Sequence, residues 1–223
     1  MGVESSDVMP SSVIHLAVAS EINKKINRNY KKLMIGAIAP DIWKSVGYSK
    51  AKTHFFPSDE VEIPDINKFL VKYKNHLDDD FVLGYYIHLY TDYLWFQYFI
   101  PEIFDEDRDI ITKLDGTHVK CNGEMLSLYI YNDYTNLNLK LIEEYLLDLS
   151  PFYEKIPEFQ DFIQEVPMDK IDLIVYKVRE IIENTKVHKD LVFNMDNIHQ
   201  FIQMAVPIII SELGQLEIIT NKD

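Results

Sequence analysis

The residues best placed to do chemistry are His88 and Asp92, set in the otherwise aromatic and aliphatic stretch "GYYIHLYTDYLWF" (84–96). Residues four apart on a helix are neighbours on one face, roughly 5–6 Å between Cβ atoms. An imidazole and a carboxylate at that spacing can share one divalent ion, or form a buried hydrogen-bonded pair. Gly84, one turn earlier on the same stripe, is expected to leave room beside them. Three further residues have suitable chemistry. Asp41 directly follows Pro40 in "GAIAPDI", where a carboxylate can project into a cleft. His54 falls in "KTHFF", thirteen residues later, and His15 sits near the start of an apolar helix. Cys121 is the only cysteine, which excludes an intrachain disulfide and a thiolate cage. A metal here would have to use imidazole and carboxylate.

The elements that must position these groups read as helices. Ser11 or Ser12 can cap a helix through about Asn27, with Ile14, Val18, Ile22 and Ile26 at a spacing of four. A short helix from Tyr30 to Ala39 is expected to end at Pro40-Asp41. Residues 42–63 read as an irregular loop, and Pro64 as the first turn of a helix to about Leu77. "LDDDF" offers N-caps for a long helix from about Phe81 to Tyr98, stopped near Pro101. The acidic run "PEIFDEDRD" reads as a solvated loop. "IITKLDGTHVKC" alternates on both sides of Asp115-Gly116 and predicts a hairpin. Helices are then expected over about 123–137, 139–149, 158–165, 169–184 and 195–213, the last kinked by Pro207. The expectation is one mainly α multi-helix domain over 1–223 with at most one small hairpin. Met9 reads as a natural start in "MPSSVIH", leaving 1–8 as a disordered or added leader.

In their order and placement these residues resemble the zinc-dependent phospholipase C family, whose helical fold is shared with single-strand-specific zinc nucleases. The matching motifs are an early His15, Gly36 through Pro40-Asp41, His54, and Gly84 with His88 and Asp92. They span roughly the first hundred residues. The resemblance implies that Asp41, His54, His88 and Asp92 bind one zinc, with Asp92 bridging to a second ion held by His15. In the secreted members an N-terminal tryptophan completes that second site, and this chain has none. A third ion would need histidines where Tyr98 and Tyr129 stand, with Asp133 one turn after Tyr129. The expectation is therefore one or two Zn2+ ions, other divalent metals remaining open. The resemblance implies hydrolysis of a phosphate ester of small-molecule or phospholipid type by a metal-activated water, with Asp41 at the catalytic ion. The alternative is a non-catalytic relative that keeps a metal or a bare pocket. A different helical phosphohydrolase, marked by an adjacent His-Asp pair, is disfavoured because the chain contains no such dipeptide.

Further pocket candidates are Trp43, His118, Tyr131 and Tyr134, beside Tyr98, Tyr129 and Asp133. Tyr85, Tyr86, Tyr90 and Tyr93 read as core packing with phenol groups at the cleft edge. His76, His188 and His199 read as surface residues and Cys121 as a small hydrophobe. With 36 acidic and 22 basic residues the net charge is −14, which opposes nucleic-acid backbones and anionic lipid surfaces at long range. A bound cation can reverse that field locally and admit an anionic substrate. Residues 81–100 could span a bilayer by length, but His88 and Asp92 at their centre would be costly there. Without a basic, apolar leader the chain is expected in the cytoplasm. Oligomeric state has no sequence signal.

Overall fold

The structure is a computed structural model describing residues 8–58, 61–104, 110–120, 123–184, 186–187 and 189–218, with the side chains of 123–127 excluded. Residues 1–7 of the expected leader, the acidic residues 105–109, Cys121 and His188 lie outside the described residues. The chain is mainly α, with one two-stranded hairpin among the described residues.

Helix α1 (Ser12–Ile26) is capped by Ser11, whose hydroxyl accepts from the Ile14 amide, and it ends at Asn27 in the left-handed region. Helix α2 (Tyr30–Gly36) is capped by Asn29, and a 3₁₀ turn (Ala39–Ile42) containing Pro40 follows. Beyond it, the expected loop instead forms two short helices, α3 (Trp43–Val46) and α4 (Lys50–His54). Ser49 caps α4 by accepting from the Lys52 amide. Pro64 precedes α5 (Ile66–Tyr73) rather than opening it, because Asp65 takes the cap and accepts from Lys68.

The central helix is α6 (Asp80–Leu94), capped by Asp79, which accepts from the Phe81 and Val82 amides. It packs on α1, α2, α5 and α11, and only Tyr90 and Tyr93 reach partial exposure between Phe81 and Leu94. That all-round burial explains why the segment reads so apolar. Pro101 does not stop the chain. A π-helical turn (Trp95–Phe99) leads into α7 (Ile100–Ile103), where Pro101 occupies the first turn and needs no amide hydrogen.

Strands β1 (Ile110–Thr112) and β2 (His118–Lys120) pair antiparallel, Ile111 opposite Val119. Helix α8 (Gly123–Glu144) runs unbroken where two helices were expected. Residues 158–165 are not helical. Bounded by Pro157 and Pro167, this segment is tied down by Glu165, which accepts from the Tyr73 hydroxyl at 2.6 Å and the Lys72 ammonium at 2.5 Å. Helices α9 (Ser150–Tyr153), α10 (Ile171–Glu183) and α11 (Met195–Gln215) complete the fold, and α11 runs through Pro207. The N-terminal segment is stitched in at Val8, whose carbonyl accepts from the Trp95 indole at 2.7 Å, and at Met9, whose carbonyl accepts from the Tyr134 hydroxyl.

Two glycines set the α2–α6 crossing. A Cβ added to Gly84 would lie 2.1 Å from the Leu33 carbonyl oxygen, and one added to Gly36 would lie 2.1 Å from the Phe81 carbonyl oxygen. The helices therefore touch backbone to backbone. Gly84 does not clear space for a ligand; it lets α2 approach.

Candidate metal centre

Five polar side chains from four parts of the fold meet against α6. His15 comes from the first turn of α1, Asp41 from the 3₁₀ turn, His54 from the last turn of α4, and His88 and Asp92 from α6. His15, His54, His88 and Asp92 are at most 1% exposed. Asp41 is the exception, its side chain 29% exposed, so the cluster meets solvent on the Asp41 side.

The facing atoms are close. His88 Nε2 lies 3.4 Å from His54 Nε2 and 3.3 Å from Asp92 Oδ2. His54 Nε2 lies 3.5 Å from Asp41 Oδ1 and 3.8 Å from Asp92 Oδ2. His15 Nε2 lies 3.2 Å from Asp92 Oδ1, and its ring stacks on that of His88 with centroids 3.7 Å apart. Ligands about 2.0–2.1 Å from a tetrahedral zinc stand about 3.3–3.4 Å from one another. The His54–His88, His88–Asp92 and His54–Asp41 separations are of that size, and His54–Asp92 is longer at 3.8 Å.

The protonation pattern is fixed from behind. His88 Nδ1 lies 2.8 Å from the Ala37 carbonyl oxygen, which can only accept. Nδ1 must therefore carry the hydrogen, and in the neutral ring Nε2 presents a lone pair to the cluster. This bond depends on the glycine crossing, since Ala37 follows Gly36 and His88 lies one turn beyond Gly84. Both Asp92 oxygens and His15 Nδ1 are buried without a hydrogen-bond partner. The His88 lone pair thus faces the two carboxylates, of which Asp92 is fully buried and Asp41 lies at the solvent edge, its Oδ2 accepting from the Ser12 hydroxyl at 3.4 Å. That arrangement is costly until a cation sits among them, because unpaired buried acceptors lose their hydration without return.

Electrostatics point the same way. Burial would raise Asp41 and Asp92, but the surrounding imidazoles outweigh it and hold both below the usual carboxylate range. Burial lowers His15 and His54, assisted by mutual repulsion with His88. His88 is raised: burial opposes its charge, while Asp92, Asp41 and the Ala37 carbonyl overcome that opposition. The cluster attracts positive charge to the His88 Nε2 position.

Two overlapping triads have ligating atoms within 4.8 Å of one another: Asp41, His54 and His88, and His15, His88 and Asp92. Both use His88, and one Nε2 lone pair serves one ion. His15 also lacks, among the described residues, the rear hydrogen-bond partner that metal-bound imidazoles usually have. Either triad could hold one ion, and because both draw on His88 the two cannot be filled through the same nitrogen.

The other sequence candidates are placed elsewhere or serve other ends. Trp43 is half-buried on α3, with the Lys44 ammonium 5.0 Å from its ring. Tyr98 is 55% exposed on the π-helical turn and lines a surface hollow with Phe99, Glu102 and Phe201. His118 is exposed on β2, its Nδ1 3.1 Å from the Thr112 hydroxyl. The Tyr129 ring faces the Lys113 ammonium at 4.6 Å, and Tyr131 is 49% exposed. Asp133 is fully buried, but its carboxylate accepts from the Leu191, Val192 and Phe193 amides and holds that loop against α8. Tyr85 donates to the Thr53 carbonyl beside His54.

Sequence reasoning missed Lys50 and Thr53. Lys50 stands one turn before His54 on α4. Burial pushes its ammonium down, against the pull of Asp92, Asp41 and Glu62. The spacing of four between Lys50 and His54 was the available signal. No helix among the described residues is long and apolar enough to cross a membrane. No family model, curated protein or solved structure matches this chain.

Proposed function

We propose that this protein is a metal-dependent hydrolase of phosphate esters, built on a single divalent ion, zinc by preference. The carrying observation is the buried convergence of imidazole and carboxylate atoms into two triads within 4.8 Å, with both Asp92 oxygens lacking a hydrogen-bond partner. Asp41, His54, His88 and Asp92 hold the ion, and the Ala37 carbonyl orients His88 behind it. When bound, the ion supplies a Lewis acid and lowers the pKa of a coordinated water towards about 7.

The chain's own groups set access and charge. Asp41 is the exposed edge, so substrate approaches from its side. Lys50 lies on the same face as His54 and adds positive charge near that edge, which favours an anionic phosphoester against the net charge of −14. A small phosphodiester suits this edge better than a nucleic-acid backbone, which the overall charge repels.

One observation favours a second reading. With three of the four ligands fully buried, the same set serves a structural metal that holds the 3₁₀ turn, α4 and α6 together. Elemental analysis, followed by nitrophenyl phosphate mono- and diesters with and without zinc, separates the two. Zinc-dependent turnover supports the hydrolase; one bound zinc with no hydrolysis across a broad phosphoester panel supports the structural metal. Absence of any bound divalent ion refutes both.

A further inference from the structure

The remaining imidazole of the four-ligand set, His54, also has a partner behind it. Thr53 is fully buried, and its Oγ1 lies 3.0 Å from His54 Nδ1. The same hydroxyl lies 3.3 Å from the Lys50 carbonyl oxygen, which can only accept. If the single hydroxyl hydrogen is donated to that carbonyl, the oxygen's lone pair is left facing Nδ1, which must then carry the hydrogen. The opposed arrangement has the hydroxyl donating to Nδ1 and an Nε2–H pointing at Asp41.

We infer that Thr53 is a positioning residue that holds His54 in the Nδ1–H form, so that its Nε2 lone pair faces the metal position. Three contacts keep Thr53 where this requires. Tyr85 donates to the Thr53 carbonyl. Phe55, the next residue but one, takes a left-handed conformation (φ 57°) that ends α4 immediately after His54. Its ring is caged by those of Phe69, Tyr73 and Tyr85, which holds a conformation costly for a bulky residue. The Phe55 carbonyl in turn accepts from the Asp65 amide at 3.0 Å, tying α4 to the start of α5.

This inference rests on the metal reading for its purpose but not for its first test. Chelator-treated, 15N-histidine-labelled protein above pH 8 reports each imidazole tautomer in long-range 1H–15N spectra, with His54 identified by its loss in His54→Gln. The expected result is a protonated Nδ1 and a bare Nε2; a protonated Nε2 overturns the inference whether or not metal binds. The second test is zinc affinity by competition with a chelating dye. Loss of such a rear partner lowers metal affinity about 10–100-fold. Thr53→Val is expected to fall in that range, and Thr53→Ser, which keeps the hydroxyl, to stay within about 3-fold of the parent. Equal affinities for Val and Ser overturn the inference. If Thr53→Val does not fold, the parent spectrum and the Ser variant still decide. If the parent takes up no zinc, the metal reading falls and the spectrum alone judges Thr53.

Discussion

Replacing Gly84 by alanine tests how far the site depends on the helix crossing behind it. The new Cβ would stand 2.1 Å from the Leu33 carbonyl oxygen and 2.9 Å from the Ala37 amide nitrogen. Both are backbone atoms and cannot rotate away. Reaching an ordinary contact, which begins at 3.4 Å, requires α2 and α6 to separate locally by at least about 1.3 Å. The same separation stretches the 2.8 Å bond from His88 Nδ1 to the Ala37 carbonyl beyond hydrogen-bond range. Overpacking costs about 1–3 kcal/mol. Leaving a buried donor unpaired adds about 1–3 kcal/mol. Alanine returns about 1 kcal/mol through helix propensity. The net is a loss of about 3 kcal/mol, or about 6–12 °C in Tm for a chain of this size. Differential scanning calorimetry measures it, and the His88 imidazole signals report the lost bond. Gly36→Ala meets the Phe81 carbonyl across the same crossing. One displacement relieves both clashes, so the double variant should lose less than the sum. A Gly84→Ala protein as stable as the parent, with His88 signals unchanged, refutes the reasoning.

Chelation should lower Tm and added zinc should raise it, by about 2.7 kcal/mol of stability at a hundredfold excess over Kd; a scan indifferent to both counts against a built metal site. His88→Ala should abolish stoichiometric metal, and Asp92→Asn should weaken it without unfolding the chain, as read by elemental analysis and circular dichroism. Acid should destabilise the chelated protein in two stages. His15 and His54 have lowered pKa values, so below pH 6.5 the unfolded chain takes up protons that the fold refuses and their contribution to stability falls with pH, while His88, raised, contributes in the opposite sense. Asp41 and Asp92, held low, add a further loss below pH 3.8 in urea titrations across pH. Lys50→Ala should raise KM for an anionic phosphoester several-fold while leaving zinc content unchanged, which steady-state kinetics on metal-loaded protein would show.

Much of the architecture was legible because it rests on local signals. The caps Ser11 and Asp79 precede periodic apolar runs, and the Asp115-Gly116 turn sits between alternating strands. What misled was proline and loop chemistry decided by tertiary contacts. Pro101 was tolerated because it fell in the first turn of a new helix after the π-helical turn. Residues 158–165 have helical periodicity but stay irregular, anchored by Glu165 reaching Tyr73 and Lys72, partners about ninety residues away in sequence. At the site, side-chain type identified His15, Asp41, His54, His88 and Asp92, whereas nothing in "GAIAP" or "KTHFF" announces that the Ala37 carbonyl and the Thr53 hydroxyl stand behind two of the rings. Backbone acceptors carry no sequence label.

The Gly84 misreading shows the physical reason for that blindness. A glycine near a histidine suggests space for a ligand when only one helix is considered. With α2 in place the space is filled by the Leu33 and Ala37 backbone, and the small residue acts through distance rather than vacancy. Close approach carries the Ala37 carbonyl to His88 Nδ1, and that bond turns Nε2 toward His54 and Asp92. Packing and ligation are therefore coupled in one direction: a looser crossing degrades the site, while loss of a ligand leaves the glycine contact intact. His88→Gln should accordingly weaken metal binding with little loss of α2–α6 packing, and Gly84→Ala should lose both. Metal retained on Gly84→Ala would mean that the crossing and the cluster are independent, and packing lost on His88→Gln would mean that the coupling runs from the site to the crossing.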